Sequence, residues 1–536
     1  MRTTKALPLA LLALLVAVAM VSSGCGSNGG AGAATAASAD ETATAGDNAS
    51  TDAGGTPTDG GVLKLATSFD VDPPTFFTGN NAQAFIAGSV YDRLIDYPPD
   101  SLEPQPSLAK AWKLSKDGKA LTLQLRDDVT FHTGRKFTSK DVQFSIEQYA
   151  DPKRVAQFQR TAAAVVGFDT SKPYEVTLKL AHPTSNIFDL LATVPILDRR
   201  TIGEFDTGKN FVGTGPFEFV SWTPGSKVVL KANKDYWGGA PHLEGAELEI
   251  VPNSQTQVSQ LRAGQVDGIY DASFVDLQSL EASGQFQLLK LIGTDRALYV
   301  GANVESNVLK DPRLRQAIAY AVDRDRIAND VFRGFATPIN LPWPSYSPAY
   351  SAKDNTTYTL DTDKAKQLVG EIGNVPTVPL SYVAESPNAS ASAQIIQSNL
   401  EAVGIPVKLE PTDVAQATKQ LIGGEYPGLW VTEHSFGQFS PSTLAVTAYP
   451  FNAEQNASNF ASPAYEKAAD AAWESPEPKS PAALQAYKQI NDILLKDLFL
   501  IELVDFDPVV AATPDLHGVT WTKRNELDLA NAYLSH

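Results

Sequence analysis

Residues 131–149, FHTGRKFTSKDVQFSIEQY, constrain this chain more than any other stretch because three local signals meet there. Just before them, residues 121–125 (LTLQL) alternate apolar and polar side chains, the period-two pattern of a half-buried strand. His132, Thr133 and Gly134 supply a turn. Thr138 followed three residues later by Asp141 then reads as a capping-box-like helix start, with the carboxylate at the positive helix end. Val142, Ile146 and Tyr149 fall on one face of that helix. Taken alone, a strand, a turn and an amphipathic helix fit many folds.

The wider segment PSLAKAWKLSKDGKALTLQLRDDVTFHTGRKFTSKDVQFSI resembles the signature region of the family 5 extracellular solute-binding proteins, the oligopeptide-, dipeptide- and nickel-binding group of ABC importer components. VGTGPFEFVSWTPGSKVVLKANKDYWGGAP at 212–241 matches the same family. So does DPRLRQAIAYAVDRDRI at 311–327, whose Leu314, Ile318, Ala321 and Val322 form one helical face. The resemblance implies an α/β fold, the two-lobed periplasmic-binding-protein clamshell of the large three-domain type, with mixed β-sheets. The main lobe would take residues 61–100, 209–300 and 505–536, an accessory domain 101–208, and the second lobe 301–504. A long apolar strand over 499–512 would carry the chain back to the first lobe. The two crossings, near 299–303 and 503–508, would form a hinge that closes on ligand.

The first 24 residues read as a signal peptide: Arg2 and Lys5, an apolar run over 6–21, then Ser22, Ser23 and Gly24 leading into Cys25. That run into a cysteine resembles a bacterial lipobox, with Ser22 where leucine is commoner, so Cys25 is expected to carry a lipid anchor. It is the only cysteine, which excludes an intramolecular disulfide. Residues 26–60 are Gly, Ala, Ser, Thr and Asp with little that is large and apolar, the composition of a flexible tether.

Net charge is −18, which argues against nucleic acid as a partner because phosphate binding needs a basic surface. Gly203 to Lys209 has the spacing of a P-loop, but Asn210 stands where the magnesium-binding hydroxyl belongs. Ser107 and Lys110 have a serine-xx-lysine spacing without companion motifs. The histidines are scattered, so no protein metal cage is expected and no cofactor; a metal carried by an organic chelator is left open. The expected partners are a small-molecule solute, the permease and ATPase subunits of an importer, and the membrane through the lipid, with the protein a monomer.

In peptide-binding members of the family, a loop of the second lobe carries a Trp, an Asp that pairs with the peptide amine, an acidic residue and a Pro. Counted back from Pro441, those positions are His434, Gly437 and Ser440. A desolvated ammonium needs a paired anion, so Gly437 argues against free-amine peptides. Trp430, Phe436 and Phe439, with Trp343 and Tyr346, offer aromatic faces suited to an oligosaccharide or another stacking solute. By resemblance Phe69, Asp70 and Asn303 also approach the ligand. An oligopeptide ligand is the first alternative. A hydrolase of the same substrates is the second, though no nucleophile and base are evident.

Overall fold

The computed structural model describes residues 56–77, 81–154 and 156–535; Cys25 and the segments around it lie outside them. Three sheets organise the chain. The first has seven strands in the order Gln287–Lys290, Val509–Ala512, Gly268–Ile269, Val62–Thr67, Gly245–Ile250, Lys227–Ala232 and Phe217–Thr223. Val62–Thr67 runs parallel to both of its neighbours. Parallel neighbours need a crossover, and the helix Ser254–Arg262 supplies one. Asn253 caps it by accepting the Thr256 N–H at 2.9 Å.

A separate four-stranded antiparallel sheet, Ala109–Leu114, Ala120–Leu125, Glu175–Leu180 and Val165–Lys172, occupies the segment expected as an accessory domain. Leu121, Leu123 and Leu125 are buried, as their alternation requires. The helix Ser139–Ala150 follows and buries Val142, Ile146 and Tyr149. Asp141 accepts the Thr138 N–H at 3.0 Å, and the Arg135 guanidinium lies between Asp141 (2.8 Å) and Asp198 (2.6 Å) over the Phe131 ring. Arg135 thus ties the turn to the helix start and to a distant loop. One apolar core runs through this domain and the main sheet.

The second lobe is built on a six-stranded mixed sheet, ordered Ala336–Pro338, Leu500–Phe506, Arg296–Ala302, Leu429–His434, Val378–Val383 and Val407–Thr412. The helix expected over 311–327 ends at Ala321. Buried Arg324 reaches the carbonyls of Ala319, Ile339, Tyr358 and Glu502, so the chain bends to let one guanidinium satisfy four acceptors.

The crossings differ from expectation in two ways. Residues 299–302 already pair with both neighbours inside the second sheet, so the first crossing lies earlier, at 291–295. The expected strand over 499–512 is two strands in two sheets, Leu500–Phe506 and Val509–Ala512. Asp507 and Pro508 separate them, since proline has no N–H with which to continue a ladder. The crossings lie side by side, with the Leu291 N–H donating to Pro508 O at 2.9 Å.

Candidate functional site

The lobes touch along a polar seam. Asp189, fully buried on the accessory-domain helix Ile187–Thr193, accepts from the Ser440 N–H (3.0 Å), the Ser440 hydroxyl (3.1 Å), the Thr443 hydroxyl (2.6 Å) and the Tyr97 hydroxyl (3.0 Å). Asn186 donates to Thr443, and the Trp473 indole donates to Asn186. Phe439, carried on the second-lobe loop at 435–440, inserts into the first lobe's core and meets Phe158 edge-on at 5.1 Å. The structure is therefore of a closed arrangement.

Where the lobes meet lie two adjoining cavities of about 150 and 370 Å3, both lined by Arg93, Phe439, Lys523 and Arg524, the larger walled by the first lobe apart from Phe439. The smaller is bounded by the helix Asn81–Val90, by Thr294 and Arg296 near the first crossing, and by Ser435 and Gln438 of the second lobe. The larger reaches into the first lobe past Tyr236, Trp237 and Trp521. Both take part of their wall from a C-terminal hairpin, Thr520–Trp521 paired with Leu527–Asp528. Its turn is closed by Thr522 N–H to Glu526 O at 2.9 Å, with Asn525 at φ 62°. Gln438 donates to the carbonyl of Lys523 at 3.2 Å, which joins the hairpin to the second lobe.

The cavities share Arg93, Lys523 and Arg524 and differ in the charges added to them. Arg93, Arg296, Lys523 and Arg524 line the smaller one against a single carboxylate, Glu526. Lys523 donates to Pro99 O at 2.8 Å and lies over the Tyr346 ring; burial pushes its ammonium down to about 8, against the pull of Asp295. The larger cavity is lined by Asp92, Asp96 and Asp528. Asp92 is engaged by Thr214, Tyr236 and Trp237. Asp96 has an accessible side chain yet is enclosed by protein around the cavity, and this desolvation pushes its carboxyl up to about 7 against a hydrogen bond from Ser107. Burial likewise raises Asp528. Among the described residues, neither Asp96 nor Asp528 has a cation within ion-pair distance, and no set of His, Cys, Asp and Glu is arranged to hold a metal.

Residues 103–465 match the bacterial extracellular solute-binding proteins, family 5. The chain belongs to that family. It is a substrate-binding protein of the ABC-importer type, and such proteins are transport binders rather than enzymes. It is 27% identical to heme-binding protein A of Haemophilus influenzae, over 62% of this chain and 66% of that protein. It is 26% identical to the oligopeptide-binding protein AppA of Bacillus subtilis, over 68% and 72%. Among solved structures, the binding protein AgaA of A. tumefaciens R10 in complex with agropinic acid is 26% identical with a TM-score of 0.76, covering 89% of this chain and 99% of that one. These neighbours are two-lobed periplasmic binding proteins. Among the described residues, no helix is long and apolar enough to cross a membrane.

Of the ligand residues that the sequence suggests for this family 5 protein, Phe439 lines both cavities; the others are placed elsewhere. Trp430 is 1% exposed and stacks on Tyr426 at 4.3 Å, its ring lying against Gly301, where a Cβ would sit 2.0 Å away. Trp343 is buried and donates to Asn491 at 2.6 Å. His434 is buried against Glu502 at 3.1 Å, and Phe436 packs on the second-lobe core. Tyr346 donates to Asp295 and to Gln438 O, at the edge of the site. Asn303 holds the Tyr426 carbonyl. Asp70 accepts from the Trp222 indole and the Gly225 N–H, while Phe69 is 50% exposed. At Gly437 a Cβ would lie 2.0 Å from Pro342 O, so the position has no room for the carboxylate that the family pattern puts there. The hairpin at 520–528 was not anticipated, because its strands are two residues long and show no periodicity. The run Lys523-Arg524 in an acidic chain is the signal that marks it.

Proposed function

We propose that this protein captures a peptide between its lobes and delivers it to the permease and ATPase subunits of an ABC importer. The observation that carries the reading is the presence of both charges around the adjoining cavities: Arg93, Lys523 and Arg524 where they meet, Arg296 added in the smaller, and Asp96 and Asp528 in the larger. A zwitterionic solute satisfies both, whereas a neutral oligosaccharide would leave enclosed charges without partners. The preference for a stacking solute rests on Trp430, Phe436, Phe439, Trp343 and Tyr346; of these Phe439 alone lines the cavities, and the Trp430 and Trp343 rings are occupied by the protein's own core. Relatives named for oligopeptides and for di- and tripeptides, at 26% and 27% identity, point the same way. A thermal-shift comparison of tri-alanine with maltotriose tests it. Tri-alanine at a hundredfold excess over its dissociation constant should stabilise by about 2.7 kcal/mol. Stabilisation by maltotriose alone overturns the peptide reading.

The same proposal places the protein on the outer face of the cytoplasmic membrane, held by a lipid on Cys25. Cys25→Ser should move it from the membrane to the soluble fraction. Unchanged fractionation removes the anchor.

A further inference from the structure

We infer that the turn at 522–526 carries a carboxylate clamp, with Arg524 as its specificity-determining residue and Arg296 opposite it, so the ligand end seated in the smaller cavity is an anion. The inference rests on the peptide reading in assigning that anion to the C-terminal carboxylate.

The hydrogen bonding around Arg524 leaves room for an outside anion. Glu526, the one carboxylate in the wall, accepts from Arg93 at 2.8 Å and from the Thr522 hydroxyl at 2.9 Å through one oxygen. Its other oxygen stands 3.7 Å from Arg524 Nε, too far for a hydrogen bond. Arg93 also gives two bonds to the carbonyls of Ala87 and Tyr91, so it is a fixed part of the wall. Lys523 is committed to Pro99 O. Arg524 is left with a side chain only 11% exposed and Nη1 enclosed without an acceptor. An enclosed guanidinium donor with no acceptor is costly, and a carboxylate that takes two parallel N–H bonds is its best complement.

The turn is rigid enough for this use. Thr522 Oγ1 accepts the Arg524 N–H at 3.2 Å, the Asn525 N–H returns to Thr522 O at 3.1 Å, and the Tyr270 hydroxyl donates to Asn525 O. Arg296 reaches the same cavity from the start of the second-lobe strand Arg296–Ala302. Its side chain is 45% exposed and lies 3.9 Å from Glu433, so it can turn toward a ligand. The two guanidiniums come from opposite sides of the crossing, and an anion between them would favour the closed arrangement. Four cations against one carboxylate in the wall, in a chain of net charge −18, also favour a negative group here.

Calorimetry on the full chain tests the clamp with tri-alanine, its C-terminal amide and succinate, against wild type, Arg524→Gln and Arg524→Lys. Wild type should prefer the free acid over the amide by roughly a hundredfold. Arg524→Gln should abolish that preference, and Arg524→Lys, which keeps the charge without the fork, should keep part of it. A wild type that binds acid and amide equally, or an Arg524→Gln variant that folds normally and still prefers the acid, overturns the clamp. If neither tripeptide binds, the peptide reading fails by itself. Succinate then decides the clamp: binding that disappears in Arg524→Gln supports it, and no succinate binding to wild type overturns it.

Discussion

Asp189 and Asp505 are both carboxyl groups enclosed where the two lobes meet, and the protein holds them in opposite ways. Asp189 sits in the seam among neutral donors, three of its four hydrogen bonds coming from Ser440 and Thr443 of the other lobe. Burial raises its pKa and those bonds pull it back down. Asp505 sits at the crossing among like charges: it is hydrogen-bonded to Asp295, with Asp507 and Glu502 nearby, and burial and these neighbours push it well above the usual carboxylate range. One site is complete only when the lobes are together. The other lies beside the covalent connections, on the strand Leu500–Phe506 and the residues that follow it. The seam thus bears on how far closure is favoured, and the crossing gathers like charges through which pH acts on the fold.

The largest effect expected from breaking this contrast is at the seam. Asp189→Ala leaves the Ser440 N–H and the hydroxyls of Thr443 and Tyr97 without their acceptor in the closed form. Water can reach the Ser440 and Thr443 groups once the lobes part. Orphaned buried donors cost about 1–3 kcal/mol each, so closure should weaken by on the order of 4 kcal/mol in sum. Small-angle scattering should then show a larger radius of gyration, and ligand affinity should fall by a factor of roughly a hundred or more. An unchanged scattering curve would mean that Phe439 in the first-lobe core, rather than the seam, holds the lobes together.

Local elements behind that contrast are legible in the sequence because they follow from periodicity, whereas the two-lobed layout is what the family resemblance implies. The strand Ala120–Leu125 and the capped helix Ser139–Ala150 occur where the spacing puts them. The site is less legible, for physical reasons. A tryptophan in a strand reads the same whether it faces a ligand or a core, and only the glycine across from it, Gly301, shows that Trp430 lies flat against its own sheet. Counting along a loop pattern finds Gly437 but cannot show that Pro342 O fills the space a side chain would need. Asp189 and its partners lie some 250 residues apart in sequence, so no local signal pairs them.

The smaller effect belongs to the crossing and is read through pH. The groups facing one another there are Asp295, Asp505, Asp507 and Glu502, with Tyr346, Lys290 and Lys523. Burial, with Asp295 nearby, pushes Asp507 up to about 7, and the Asp295–Asp505 pair is also raised. These carboxyls hold protons more tightly folded than unfolded. The stability they contribute is therefore complete in acid and is lost as pH rises through the folded values. Melting temperature should fall as pH rises from about 4, the unfolded carboxyl value, to about 7 at fixed ionic strength. Lys523, lowered to about 8, acts the other way only above that window, where raising pH from about 8 to about 10 removes the cost of its buried charge. Asp505→Asn removes the central charge without changing the shape, so it should raise the melting temperature at pH 8 by a few degrees and flatten the slope. Asp189→Ala should leave most of that slope in place. If Asp505→Asn keeps the full pH slope, the like-charge cluster is not its source, and the contrast between crossing and seam loses its electrostatic half.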